Sequence, residues 1–62
     1  MGGISEKIRH LRNQNGWSQE ELARRVGVSL STIYRWEKRG DKPYPLAQRQ
    51  LDKIFRLYIV DD

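Results

Sequence analysis

The chain contains no cysteine. Disulfides and thiolate metal sites are therefore excluded, and nothing points to an oxidising compartment. The single histidine, His10, cannot build a metal site or a histidine-pair catalytic site alone, and it reads as a surface residue of a helix. No apolar run approaches the ~20 residues a membrane span needs, and no signal peptide is visible. A cytoplasmic location with no membrane partner is expected. The sequence also lacks an internal repeat, a low-complexity segment, an interdomain linker, a carboxylate cluster, a nucleophile–base pair and a phosphate loop. The expectation is a non-enzyme with neither metal nor cofactor. Only two prolines occur, Pro43 and Pro45, so the rest of the chain is open to helix.

With 62 residues there is room for one domain, 1–62, with its core at about 4–58. A core of that size is marginal unless idealised or shared with a second subunit. Net charge is +4. Residues 1–28 carry five basic and three acidic groups, residues 29–45 four and two, and residues 46–62 three of each. Positive charge is thus densest in the middle. Such charge attracts polyanions at long range and carries no sequence specificity.

The middle is also where the local signals are clearest. Ser18 followed by Glu21 is a capping box, with Trp17 and Leu22 placed to staple over it. Leu22, Ala23 and Val26 give one apolar face of a short helix, and Gly27 stops it. Ser29 can cap a second helix carrying Ile33 and Trp36 on its inner side. Small Ala23 sits where the two could approach closely. Helix, tight turn, helix is the pattern of a DNA-binding helix-turn-helix. Before it, Ile4, Ile8 and Leu11 predict a helix over 4–15, closed by Gly16. After it, residues 39–42 read as a loop with Gly40 as C-cap. Pro45 suits the first position of a last helix running to about Leu57, with Leu51, Ile54, Phe55 and Tyr58 inward and Leu46 or Ala47 one turn before Leu51. The fold class expected is all-α, a compact bundle of four helices.

At about 100° per residue, Ser31, Tyr34, Arg35 and Lys38 fall opposite Ile33 and Trp36, with Thr32 and Leu30 on the two shoulders. Arginine can donate in pairs to guanine, hydroxyls can serve several bases, and an apolar side chain can touch a thymine methyl. The base-reading candidates are Leu30, Ser31, Thr32, Tyr34 and Arg35. Most charged helix faces are merely solvated, and it is the surrounding motif that favours DNA here.

The pattern Gln19, Ala23, Gly27-Val28-Ser29, Ile33 and Trp36-Glu37 resembles the lambda-repressor-like (Xre/Cro) family of phage and bacterial regulators, over roughly Ile4 to Phe55. The resemblance implies a four-helix fold, with a fifth short helix in the family, and a regulator, most often a repressor, that binds double-stranded DNA as a dimer on a pseudo-palindromic operator. It implies backbone contacts from Gln19, Ser29, Lys38, Arg39 and Lys42, and a buried structural ion pair between Arg12 and Glu37. The sequence departs from the family at several points. Gly40 comes one residue late, Tyr44 stands where a capping serine or threonine is usual, and Gln48 replaces an aliphatic residue. The fifth helix is missing or replaced by Leu57–Val60. Those four residues are apolar or aromatic in succession, which predicts a weak self-contact that forms mainly on DNA, the alternative being that Ile59 and Val60 fold back against the first helix and complete the core. A toxin or other protein partner belongs to a close relative of this role. Two other classes remain open: the DNA-binding module of a recombinase or transposase, and a protein-interaction bundle using Leu30 and Tyr34.

Overall fold

A computed structural model describes residues 3–58, which form four helices: α1 (Ile4–Asn15), α2 (Gln19–Val26), α3 (Leu30–Lys38) and α4 (Pro45–Tyr58). The first three boundaries follow from local chemistry. α1 ends at Gly16, whose φ of 68° is a left-handed conformation that glycine reaches without a Cβ clash. The N–H of Trp17 then donates back to the carbonyl of Arg12 at 2.9 Å, which satisfies an otherwise orphaned acceptor. Gly27 closes α2 in the same way, at φ 89°. Ser18 and Ser29 cap α2 and α3, their hydroxyl oxygens accepting from the N–H of Glu21 at 3.0 Å and of Thr32 at 3.2 Å.

Some expectations change or sharpen in detail. The capping box is half formed: Ser18 caps, but the Glu21 carboxylate turns down the helix to Arg24 at 3.1 Å and Arg25 at 2.9 Å. Two cations one turn away outcompete a single backbone N–H for that carboxylate. The C-cap of α3 is Arg39, in right-handed conformation, and Gly40 follows one position later with φ 71°. α4 runs to Tyr58, one residue past the expected end near Leu57. At its start the main-chain carbonyl of Tyr44 accepts from Gln48 N–H at 2.9 Å, while the Tyr44 side chain is exposed. Of the two candidates for the first turn, Ala47 is buried and Leu46 is exposed. Gln48, half-buried, donates to Asp52 at 3.0 Å on its own helix. A fifth helix, and the fate of Ile59 and Val60, lie outside the described residues.

The core is Ile8 and Leu11 from α1, Leu22, Ala23 and Val26 from α2, Ile33 and Trp36 from α3, and Ala47, Leu51 and Ile54 from α4. Ile4, Trp17, Val28 and Phe55 seal its edge. α3 rests on α1 and α2, α4 packs on α2 and α1, and α3 and α4 barely touch. No described helix is long and apolar enough to cross a membrane. Burying one face of each helix is what holds so short a chain together, since isolated helices of this length are marginal in water. The packing also fixes which face of α3 is left outside.

Candidate nucleic-acid interface

Inward, α3 commits Ile33, Trp36 and Glu37, all buried. Outward it leaves Leu30, Ser31, Tyr34, Arg35 and Lys38 exposed, with Thr32 half-buried at the edge. Leu30, Ser31, Tyr34 and Arg35 share one shallow recess with Gln19, the first residue of α2. The turn between α2 and α3 is short enough to bring Gln19 beside the middle of the exposed face. Thr32 is tied to the helix start, its hydroxyl 2.9 Å from that of Ser29. It also accepts from Arg35 Nη2 at 3.4 Å. Among the described residues that weak bond is the only one the Arg35 guanidinium makes, which leaves it available for a stronger acceptor.

Behind this face lies a polar network that sets the position of α3. Arg12 Nε donates to Glu37 Oε2 at 2.6 Å and Nη2 to Oε1 at 2.9 Å, a two-pronged pair. The side chains are 17% and 4% exposed. A third donor, Gln19 Nε2, reaches Glu37 Oε1 at 3.2 Å. Arg12 Nη1 donates to the Trp17 carbonyl at 3.1 Å, which ties the α1–α2 turn into the same network. No buried side-chain polar atom among the described residues is left without a partner. Burial, the largest influence on Glu37, pushes its carboxyl up. The hydrogen bonds from Arg12 and Gln19, with the charges of Arg12 and Arg9, outweigh it and hold the pKa below the ordinary value. The hydrogen bond with Glu37 raises Arg12, burial lowers it, and the carboxylate charge raises it further, with a net rise. Both partners are therefore ionised at neutral pH.

The remaining candidates stand around the rim. Ser29 is exposed at the start of α3. Lys38 is exposed at its end and lines a second recess with Arg9, Arg12, Gln19 and Glu37. Arg39 is exposed and lies 3.9 Å from Asp41, the outer limit of an ion pair. Lys42 is exposed in the loop before α4. Two features were not anticipated from the sequence. Arg9 extends its Nη2 to 3.5 Å from the Glu37 carbonyl near the end of α3. Its signal was its place one turn before Arg12, on the same side of α1. Arg25 lies over the Trp17 ring at 4.2 Å, donates to the Tyr58 hydroxyl at 3.3 Å, and the two rings meet edge to face at 4.8 Å. Tyr58 thus folds back on its own domain and is not a free member of the apolar run at 57–60.

Comparison with known proteins agrees with this architecture. A helix-turn-helix family pattern matches residues 8–58. An uncharacterized HTH-type transcriptional regulator of Archaeoglobus fulgidus is 39% identical over 61 residues, covering 90% of this chain and 87% of the relative. Antitoxin HipB of Escherichia coli K12 is 37% identical over 38 residues, 61% of this chain and 43% of the antitoxin. The HipB of strain O6:H1 matches at the same identity over 40% of its length. The chain thus spans about two fifths of the antitoxins it matches. No solved structure matches it. With the pattern match extending from Ile8 through α4, and α2 and α3 joined across Gly27 to Ser29, the chain belongs to the helix-turn-helix family of lambda-repressor-like (Xre/Cro) DNA-binding regulators.

Proposed function

We propose that the chain is a sequence-specific regulator that reads the major groove of double-stranded DNA with the outward face of α3, most simply as a repressor. The observation that carries this reading is the division of α3: Ile33, Trp36 and Glu37 are fixed inside, while Ser31, Tyr34, Arg35 and Lys38 stand together outside. Leu30, Ser31, Tyr34 and Arg35 meet base edges in this reading, with Thr32 at the margin, because its hydroxyl is shared with Ser29 and Arg35. Gln19, Ser29, Lys38, Arg39 and Lys42 hold the phosphates on either side. The Gln19 amide keeps one N–H and its carbonyl for this while the other N–H braces Glu37.

The longest dimension of the domain is 30 Å. Successive half-sites of a two-fold operator lie roughly 34–36 Å apart, so one domain reads one half-site and a second copy reads the other. Selection of bound duplexes from a random pool tests the whole reading. A recovered pseudo-palindrome with two half-sites one turn apart is the expected result. Recovery of no sequence preference would overturn it. The likeness to the HipB antitoxins favours one variant of this reading, in which the regulator also binds a toxin protein. Copurification of a second protein from the native host, with DNA binding retained, is what that variant predicts.

A further inference from the structure

The outward side of α4 takes no part in the DNA reading. Leu46 is 62% exposed and Leu57 72% exposed. They stand eleven residues apart on one helix, about 16 Å or three turns, which returns both to nearly the same direction. Gln50 and Lys53 fill the steps of four, three and four between them, so all four form one stripe along α4. Arg49 and Arg56 border it on the side away from the core, and a shallow groove runs along Leu46, Arg49, Gln50, Asp52, Lys53 and Arg56. The single acid in that set, Asp52, accepts from Gln48 on its own helix. Among the described residues none of Arg49, Lys53 and Arg56 has a salt-bridge partner.

We propose that this face is a docking surface for an acidic amphipathic helix of a partner protein, an assignment that goes beyond the DNA reading and does not depend on it. Two exposed leucines three turns apart, with three cations between and beside them that have no salt-bridge partner among the described residues, match a helix that offers an apolar residue near each end and carboxylates between. A second copy of this chain is a poor occupant. Among the described residues, pairing α4 with itself brings three cations of each copy together against one already engaged aspartate each, and like charges at close range oppose association. In the DNA reading the surface would stay free as well, since the residues assigned there to bases and phosphates lie on α2, on and just before α3, and in the loop before α4. A partner seated on it rides on the DNA-bound protein.

The test titrates the full isotope-labelled chain with a synthetic amphipathic peptide of about sixteen residues, long enough for the three turns between the leucines. The peptide carries leucines eleven positions apart and glutamates between them. A lysine-for-glutamate peptide, anionic phospholipid vesicles and a non-specific DNA duplex serve as rival occupants. Expected are saturable amide shifts confined to residues 46–57, weakening with added salt. Arg49→Glu with Lys53→Glu and Arg56→Glu should weaken peptide binding by about tenfold or more. Leu46→Ser with Leu57→Ser should weaken it without changing the salt dependence. Both sets are surface changes, and an unaltered thermal midpoint shows that the fold is intact. Repeating the titration on the chain bound to its selected duplex should give the same affinity. If no duplex is selected, the DNA reading falls and the titration of the free chain still decides this one. Equal binding of the lysine peptide, tighter binding of vesicles or duplex at the same amides, self-association through α4, or no saturable shift each overturns the proposal.

Discussion

Arg12 and Arg25 each join two helices of this domain, and they do it under opposite conditions. Arg12 joins α1 to α3 through a two-pronged contact with Glu37, a residue nearly sealed from water. Arg25 joins α2 to the end of α4, lying over Trp17 and bonded to the Tyr58 hydroxyl and the Glu21 carboxylate, with its own side chain 37% exposed. Water competes for every interaction of Arg25 and for few of Arg12. A buried pair of ions adds little net stability over well-packed apolar groups, but each partner becomes a liability when the other is lost. A half-exposed cation over an aromatic ring is a mild attraction that can be dropped at low cost. The first junction therefore specifies where α3 stands, and the second trims the end of α4.

The sharpest way to break the contrast is Arg12→Met. Removing one partner strands the Glu37 carboxylate in the core, at ~3–5 kcal/mol, comparable to everything a domain this small holds in reserve. Denaturant unfolding should show a largely unfolded single mutant, and Glu37→Leu added to it should restore much of the loss. Losses that simply add would separate the two residues energetically and void the argument.

Acid probes the same junction. The folded-state pKa of Glu37 lies below its unfolded value, so its contribution to stability is complete above the ordinary glutamate range, roughly pH 4.3, and is lost as pH falls through the lower folded value. Stability measured from pH 6 down to pH 2 should decline more steeply in the parent chain than in the Arg12→Met, Glu37→Leu pair. Parallel curves would show that other carboxylates control acid unfolding.

A third arginine refines the comparison. Arg35 has one weak bond to Thr32 and no ion pair among the described residues, so the fold should ignore its loss. Arg35→Ala is expected to leave the thermal midpoint nearly unchanged while weakening specific binding by ~1–3 kcal/mol and barely affecting random DNA. Equal losses on both DNAs would move Arg35 to the backbone set. Smallest of all is Arg25→Ala, expected to cost under ~1 kcal/mol, because both the ring contact and the Glu21 pair are partly solvated. A cost as large as that of Arg12→Met would erase the distinction between the junctions.

The same contrast explains what could be read from the sequence. Helix ends are local events, so Ser18, Ser29, Gly16, Gly27 and Pro45 announced nearly every boundary, and the 3.6-residue period announced the core. Where α4 begins was clear, but whether Leu46 or Ala47 points inward turns on 100° of rotation that only α2 and α1 decide. The choice of Glu21 between a backbone N–H and two arginines is a competition between interactions of similar size, and composition does not settle it. Arg25 meeting Tyr58 and Arg9 meeting the Glu37 carbonyl join residues 33 and 28 positions apart. No periodicity carries that information. The pairing of Arg12 with Glu37 is of the same long-range kind, and it could be anticipated through family resemblance alone.

One tryptophan lies on the inner face of α3 and the other beneath Arg25. Trp36 is sealed behind α3, while Trp17 sits half-buried beneath the Arg25 guanidinium and against the Tyr58 ring. Their indoles occupy different polarities, and a cation lies over one of them. The chain thereby carries two natural fluorophores, and replacing either one by phenylalanine leaves the other as a single-site optical reporter. Emission from Trp36 follows the seating of α3, and emission from Trp17 follows the closure of the α4 end. Loosening at one end can then be timed against the other in a stopped-flow trace, without attaching any label.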